Sequence, residues 1–563
     1  MYSLRDVQER VPDRRNQGRL IMPTITIDNR QVEVDNGATI LDAAAKLGIE
    51  IPTMCFLKGY KPSTSCMVCV VKVNGSDNLV PACGTIAEEG MRVESDSEEV
   101  HQARKAALEL LLSDHVGDCI GPCQAACPAR MNIPLMIRQI AAGKLGDAIA
   151  TVKKDIALAA VLGRICPKPC EQACRRTVFD EPVSICLLKR YVADLDLQSA
   201  NPYSPACKPG RDKRVAIVGA GPAGLAAAYY LQIDGYSCTI FDDHEKPGGM
   251  LQYAVGEQQL PRDLLDNEIA LVRKLGAGFQ GTTRIGTTLT MEDLRRDFDA
   301  VFVAIGKLEL GDAESMGLQT GPNGIAINNR TYETNLPGVF AGGGTVRKRR
   351  LAVRAVADGK EAAVAIGQYL SGRPVTGPPI AFNTRIGKLK DGEIEVFMAG
   401  VAKGNRVTPS PEGSGFSTRQ ARDEAARCMH CDCRKPQSCK LRQYARQYRA
   451  KPSRYKGQRR SFVQQLQHPD IIYEPGKCIN CGLCIQIASQ AREPLGLTFI
   501  GRGFDVRVAV PFDHSIAEGL KHAANQCVEA CPTGALAFKG KNGSTGSPSR
   551  ANSRDRPQNK HES

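Results

Sequence analysis

The sequence predicts a multidomain protein of mixed α/β and α+β class. Three features predict it: cysteines gathered in short runs toward both ends, a glycine-rich strand-turn-helix segment between them, and a length of 563 residues. At about 100 to 200 residues per domain, that length allows roughly three to five domains. Twenty of the 22 cysteines lie in clusters, the crowding of thiolates that iron–sulfur centres need. Disulfides instead suit small secreted chains. The first 21 residues are polar, with Arg5, Asp6, Glu9 and Arg10, and read as neither signal peptide nor anchor. No later stretch is apolar for the length a bilayer needs. A soluble protein of a reducing, cytoplasmic compartment, without a membrane span, is expected.

Residues 22–36 alternate as strand, turn and strand, with Ile25, Ile27, Val32 and Val34 on one face. Thr39 then caps a short helix over Leu41–Leu47 that stops at Gly48. Cys55, Cys66, Cys69 and Cys83 follow as C-x10-C-x2-C-x13-C. One tight pair serves one iron and the outer two the other, the demand of a [2Fe-2S] centre. A zinc ribbon would show two tight pairs. The segment resembles the N-terminal ferredoxin domain, a β-grasp fold, of iron-only hydrogenases and of the iron–sulfur input subunit of complex I.

His115, Cys119, Cys123 and Cys127, then Cys166, Cys170, Cys174 and Cys186, offer eight ligands, enough for two [4Fe-4S] clusters. Helical spacing over Ile133–Leu158 separates the two halves. The phrase GRICPKPCEQACRR resembles the helical two-cluster domain of the glutamate synthase small subunit and of dihydropyrimidine dehydrogenase. That resemblance implies one set of Cys119, Cys123 and Cys174 with His115, and another of Cys127, Cys166, Cys170 and Cys186. His115 also reads as an ordinary core or surface histidine, although its spacing to Cys119 is similar to that of a histidine-ligated cluster in the complex I and hydrogenase relatives.

Arg214–Asp243 reads as strand, helix and strand, with Gly219, Gly221 and Gly224 forming G-x-G-x-x-G in the setting that dinucleotide binding requires. The first glycine permits the turn, the second admits pyrophosphate, and the third lets helix meet strand. Asp242 ends the second strand, where a carboxylate holds a ribose hydroxyl. PGGM with Gly249 and Met250, VFVAIG ending at Gly306, and LPGVFAGGG with Gly343 resemble the Rossmann-like FAD domain of the glutamate synthase small subunit. That family inserts an NADPH domain between the positions of Gly306 and Gly338. Here 31 residues lie between them, too few for a domain of about 100 residues. Gly344 stands where the family places an aspartate, which implies weaker flavin binding.

Cys428, Cys431, Cys433 and Cys439 make C-x2-C-x-C-x5-C, a site for [4Fe-4S] or zinc. Cys478, Cys481 and Cys484, with Cys531 of the C-P pair, leave one [4Fe-4S] site of a ferredoxin-like fold, with Cys527 spare. The segment GLTFIGRGFDVRVAVPF between them resembles the corresponding ferredoxin segment of the complex I and hydrogenase relatives. The formal charge of +14 concentrates between Arg434 and Arg460, which hold eleven Lys and Arg and no acid. This arm reads as a solvated helix offsetting anionic clusters or docking an acidic subunit, or as a phosphate-binding surface for nucleic acid, the less favoured reading.

The expected domains are 1–21, an extension; 22–100, the [2Fe-2S] domain; 101–205, the helical two-cluster domain; 206–375, the FAD domain; 376–470, a linker with the four-cysteine site and the basic arm; 471–540, the [4Fe-4S] ferredoxin-like domain; and 541–563, a disordered tail. The expected cofactors are FAD, one [2Fe-2S] cluster and three to four [4Fe-4S] clusters. The expected function is electron relay between flavin and clusters within a larger complex, the partner being another redox subunit or a carrier protein. The alternatives are an autonomous flavin-dependent reductase and a redox-responsive nucleic-acid binder. No motif marks a catalytic acid or base.

Overall fold

The computed structural model describes residues 22–349, 351–409, 411 and 413–539. The expected extension over 1–21 and tail over 541–563 lie outside the described residues. The chain forms two compact units: residues 117–433 make one, and the segments before and after them make the other. Among the described residues no helix is long and apolar enough to cross a membrane.

The discontinuous unit opens with the expected hairpin. Thr24–Ile27 pairs antiparallel with Arg30–Glu33 through a turn in which Asp28 and Asn29 both take positive φ, 45° and 64°. That left-handed pair matches the twist of the flanking strands, and Asp and Asn tolerate it. Five strands follow the order Arg30–Glu33, Thr24–Ile27, Arg92–Glu94, Val70–Val73, Leu79–Pro81. The helix is Ile40–Lys46, begun by a capping box in which Thr39 and Asp42 satisfy each other's backbone N–H. Its Ile40 and Ala43 close a core with Ile25, Ile27, Val71 and Val93. The later segment pairs Ile471–Tyr473 antiparallel with Leu536–Phe538 and Thr498–Ile500 with Arg507–Ala509, around the helices Leu483–Gln490 and Ala524–Ala530.

The basic arm ties these two segments into one unit. Arg104, buried on helix Glu98–Ser113, donates from Nε and Nη2 to Val70 O and from Nη1 to Tyr448 Oη. Glu109 of the same helix accepts from Lys451 N at 2.9 Å and pairs with Arg454 at 3.6 Å. Arg460 pairs with Asp114 at 3.0 Å. Lys435 Nζ donates to the carbonyls of Val528 and Cys531. The arm's named cations are therefore engaged within their own unit.

In the continuous unit the expected helical run Ile133–Leu158 is two helices, Ile133–Ala141 and Leu145–Lys153. The break falls at Gly143, whose φ of +69° a helix cannot hold. Helix Ala159–Ile165 packs against Ile185–Leu197. Beyond them a five-stranded parallel sheet has the order Val339–Ala341, Ala300–Val303, Arg214–Val218, Ser237–Phe241, Gly278–Gln280. Between Gly306 and Gly338 stand only the short helix Asp312–Ser315 and the two-stranded pair Thr320–Gly321 and Gly324–Ile325. Helices Pro222–Ile233 and Ala352–Leu370 cover the sheet. Glu268, buried on helix Arg262–Lys274, accepts from Ala160 and Val161 N–H at 2.9 Å each and fastens the helical cluster segment to the sheet segment.

Candidate cofactor sites

The first thiol group sits in the loop after the N-terminal hairpin and helix. Cys55, Cys66, Cys69 and Cys83 are all buried, and Cys69 Sγ lies 3.4 Å from Cys83 Sγ. Hydrogen bonds with Cys66 and then Cys83 pull the Cys55 thiol well down. The hydrogen bond with Cys83 brings Cys69 down to about 7. Four soft donors in mutual contact fit a [2Fe-2S] core.

The continuous unit gathers thiols around two sets of cations. Lys189 is buried and its Nζ donates to Leu162 O at 2.9 Å. Burial opposes its charge, yet Cys186, Cys166, Cys170 and Cys127 outweigh that and leave its pKa raised. Those four are the second set that the glutamate synthase resemblance implies. Cys186 also bonds Cys166, the main reason the Cys166 thiol falls to about 7.

Around the other implied set, further thiols stand close by. Burial pushes the Cys123 thiol well up, and the charges that act on it next are Cys428, Cys431 and Cys174 in that order. Cys428, raised to about 12 by burial, has Cys174 and Arg138 as neighbours. Arg138 holds Asp432 by two bonds of 2.7 and 2.8 Å. Cys119 instead sets its Sγ 3.2 Å from Thr384 Oγ1. His115 belongs to the discontinuous unit, where burial and then Lys477 lower its pKa to about 3 and keep the ring neutral. Cys433 is buried in the continuous unit, and Cys439 precedes helix Lys440–Gln447 of the other. Sequence reasoning missed the link between Cys428, Cys431 and the helical segment; no local spacing announces it.

In the C-terminal segment, burial raises Cys478 and Cys481 to about 12, with Cys531 a neighbour of both. Burial pushes the Cys484 thiol well up, and Cys478, Cys481 and Cys531 add to it. All four line one cavity with Tyr473, Pro532 and Thr533. The spare Cys527 points its Sγ at Cys484 O, 3.6 Å away. Ser63, from the first thiol loop, donates to Cys481 O at 2.7 Å, and Cys55 is a charged neighbour of Cys481.

The sheet segment carries a cavity of about 360 Å³ lined by Gly219, Gly221, Asp242, Gly249, Met250, Gly306 and Gly344, among others. Gly219, at φ +106°, lies so close to Ala304 that a Cβ would stand 2.5 Å from its carbonyl oxygen, while a Cβ on Gly221 would meet nothing within 4 Å. The open side of Gly221 is the cradle a pyrophosphate needs at a helix N-terminus. Asp242 is buried and accepts from Ala220 N at 2.6 Å and His244 N at 3.0 Å. Gly224 and Gly343 do not line the cavity. Gly224 lets the helix approach the turn, its Cβ position being 1.9 Å from Gly219 O. Gly343 N donates to the buried Asp358 at 3.2 Å. These residues fit a dinucleotide cofactor.

Three family models match successive segments. Residues 22–98 match the 2Fe-2S iron–sulfur cluster binding domain. Residues 96–201 match dihydropyrimidine dehydrogenase domain II, 4Fe-4S cluster. Residues 196–359 match pyridine nucleotide-disulphide oxidoreductase. The chain thus joins ferredoxin-like and flavin- or nucleotide-dependent oxidoreductase domains, with iron–sulfur and FAD-type cofactors.

Among curated proteins the chain is similar to the NADP(+)-dependent formate dehydrogenase subunit beta of Moorella thermoacetica, 42% identical over 239 residues, 39% of this chain and 32% of that one. It is 41% identical over 189 residues to the NADPH-Fe(3+) oxidoreductase subunit beta of Geobacter sulfurreducens, 33% of this chain and 28% of that one. The NAD-dependent dihydropyrimidine dehydrogenase subunit PreT of Escherichia coli is 38% identical over 188 residues, 33% of this chain and 45% of that one. The chain therefore spans less than half the length of each of these relatives.

Proposed function

We propose that the chain is a cytoplasmic electron-relay subunit of a larger redox complex, with FAD, one [2Fe-2S] cluster and three to four [4Fe-4S] clusters. Bound flavin exchanges electrons in pairs or singly and iron–sulfur clusters pass them one at a time, so the two together convert hydride chemistry to single-electron flow. The observation that carries this reading is the Ser63–Cys481 bond, which sets the first thiol loop against the C-terminal one. Two one-electron sites placed wall to wall serve transfer between them. Ser63 fixes that approach, and the residues around Gly221 and Asp242 orient the flavin.

The short stretch between Gly306 and Gly338 has no room for a second nucleotide domain, so hydride donation belongs to a partner. Three named relatives are subunits, which supports the same assembly. By resemblance the partner is an NADH-oxidising flavoprotein, a hydrogenase or a formate dehydrogenase. In an anaerobic stopped-flow test, the purified chain alone should be reduced slowly by NADH or NADPH and rapidly once its native partner is added. Fast reduction of the chain alone would favour the autonomous reductase and end the relay proposal.

A further inference from the structure

We propose that Cys123, Cys174, Cys428 and Cys431 together hold one [4Fe-4S] cluster, two ligands coming from the helical segment and two from beyond the flavin-domain segment. The backbone already joins the two regions at the cysteines. Arg176, two residues after Cys174, is fully buried and donates to the carbonyl of Arg427, the residue before Cys428, at 2.5 Å. Arg427 in turn donates to the carbonyls of Glu181 and Pro182. Glu424, on helix Thr418–Ala425, accepts from Ser184 N at 2.7 Å. On the other flank, a Cβ at Gly121 would stand 3.7 Å from both Cys123 Sγ and Asp432 Cβ, which puts Cys123 beside the residue that follows Cys431. Cys123, Cys174 and Cys428 all pack against the same apolar core.

The surroundings are those of an anion. Arg138 and Arg175 are nearly buried, at 12% and 7% side-chain exposure. Arg138 donates to Asp432 and Arg175 to Asp118. Arg175 also shares a hydrogen bond with Cys431, and its Nη1 is buried without a partner of its own. A buried guanidinium nitrogen left unpaired is costly. The sulfides and thiolates of a cluster would supply its missing acceptor. Cys123 and Cys174 also lie inside the segment that matches the 4Fe-4S domain model. This ligand set replaces the one with Cys119 and His115, and it separates Cys428 and Cys431 from a free-standing site with Cys433 and Cys439.

The assignment does not depend on the relay reading, because iron content reports ligands and not electron flow. In the full-length chain purified anaerobically, Cys174→Ala and Cys428→Ala should each remove about four iron atoms and the same reduced-state EPR signal, and the double variant should remove no more. A double variant that loses about eight iron atoms, or a Cys428→Ala variant that loses zinc or no metal, overturns it. Should the variants not fold, alkylation of wild-type chain during slow chelation gives the same answer. Cys123, Cys174, Cys428 and Cys431 should become reactive in one kinetic phase, and exposure of Cys428 and Cys431 in a different phase from Cys174 refutes the shared cluster.

Discussion

Single side chains set the conditions under which the sites work. Lys189 is a buried cation beside Cys127, Cys166, Cys170 and Cys186, so Lys189→Met should leave their cluster harder to reduce. Its potential should fall by on the order of tens of millivolts in an EPR-monitored redox titration. Glu268 is held up to about 7, by burial first and against the opposing Val161 and Ala160 N–H bonds. Its proton is bound more tightly folded than unfolded. The stability it lends is therefore complete below about pH 4.5, and about 3 kcal/mol of it is lost as pH rises through 7. Denaturant curves of wild type and Glu268→Gln should converge in slope with pH outside that window and differ inside it. Gly221→Ala places its methyl in open space within the cavity. Flavin per chain should drop severalfold while the far-UV spectrum holds, whereas Gly224→Ala, with 1.9 Å to Gly219 O, should fail to fold.

At the scale of elements, what the sequence announces is what is local. The hairpin, the Thr39 cap, the first thiol loop and the glycine turn each lie within a few dozen residues, and each forms where periodicity and turn chemistry place it. The helix break at Gly143 was hidden by apolar spacing that runs through it. The basic arm was ambiguous for a different reason: its acids, Glu109 and Asp114, lie more than 300 residues upstream, and a charge run looks free when its partners are distant. With Lys435, Arg454 and Arg460 engaged, the chain should give no salt-sensitive shift of DNA or RNA on a gel even at low ionic strength. Arg104→Met removes three bonds of a buried guanidinium. It should cost roughly 2–4 kcal/mol, read as a lower midpoint for bleaching of the [2Fe-2S] absorbance in denaturant.

Across the whole molecule, the thiols that sequence spacing could not group are those brought near one another over long separations. Cys174 and Cys428 are some 250 residues apart, and the Arg176 and Glu424 contacts bring their segments together. The discontinuity of the first unit has a consequence of its own during synthesis. Helix Glu98–Ser113 leaves the ribosome with Arg104 and Glu109 already made, but Tyr448 and Lys451 follow about 340 residues later. At about 5 to 20 residues per second that is a wait of roughly 17 to 70 seconds. During it Glu109 waits for Lys451 and Arg454, and Arg104 for the Tyr448 bond, on an unfinished flank while the interposed unit has time to fold. A translating cell would have to shield that flank, and any fragment ending before residue 434 would inherit the exposed state permanently.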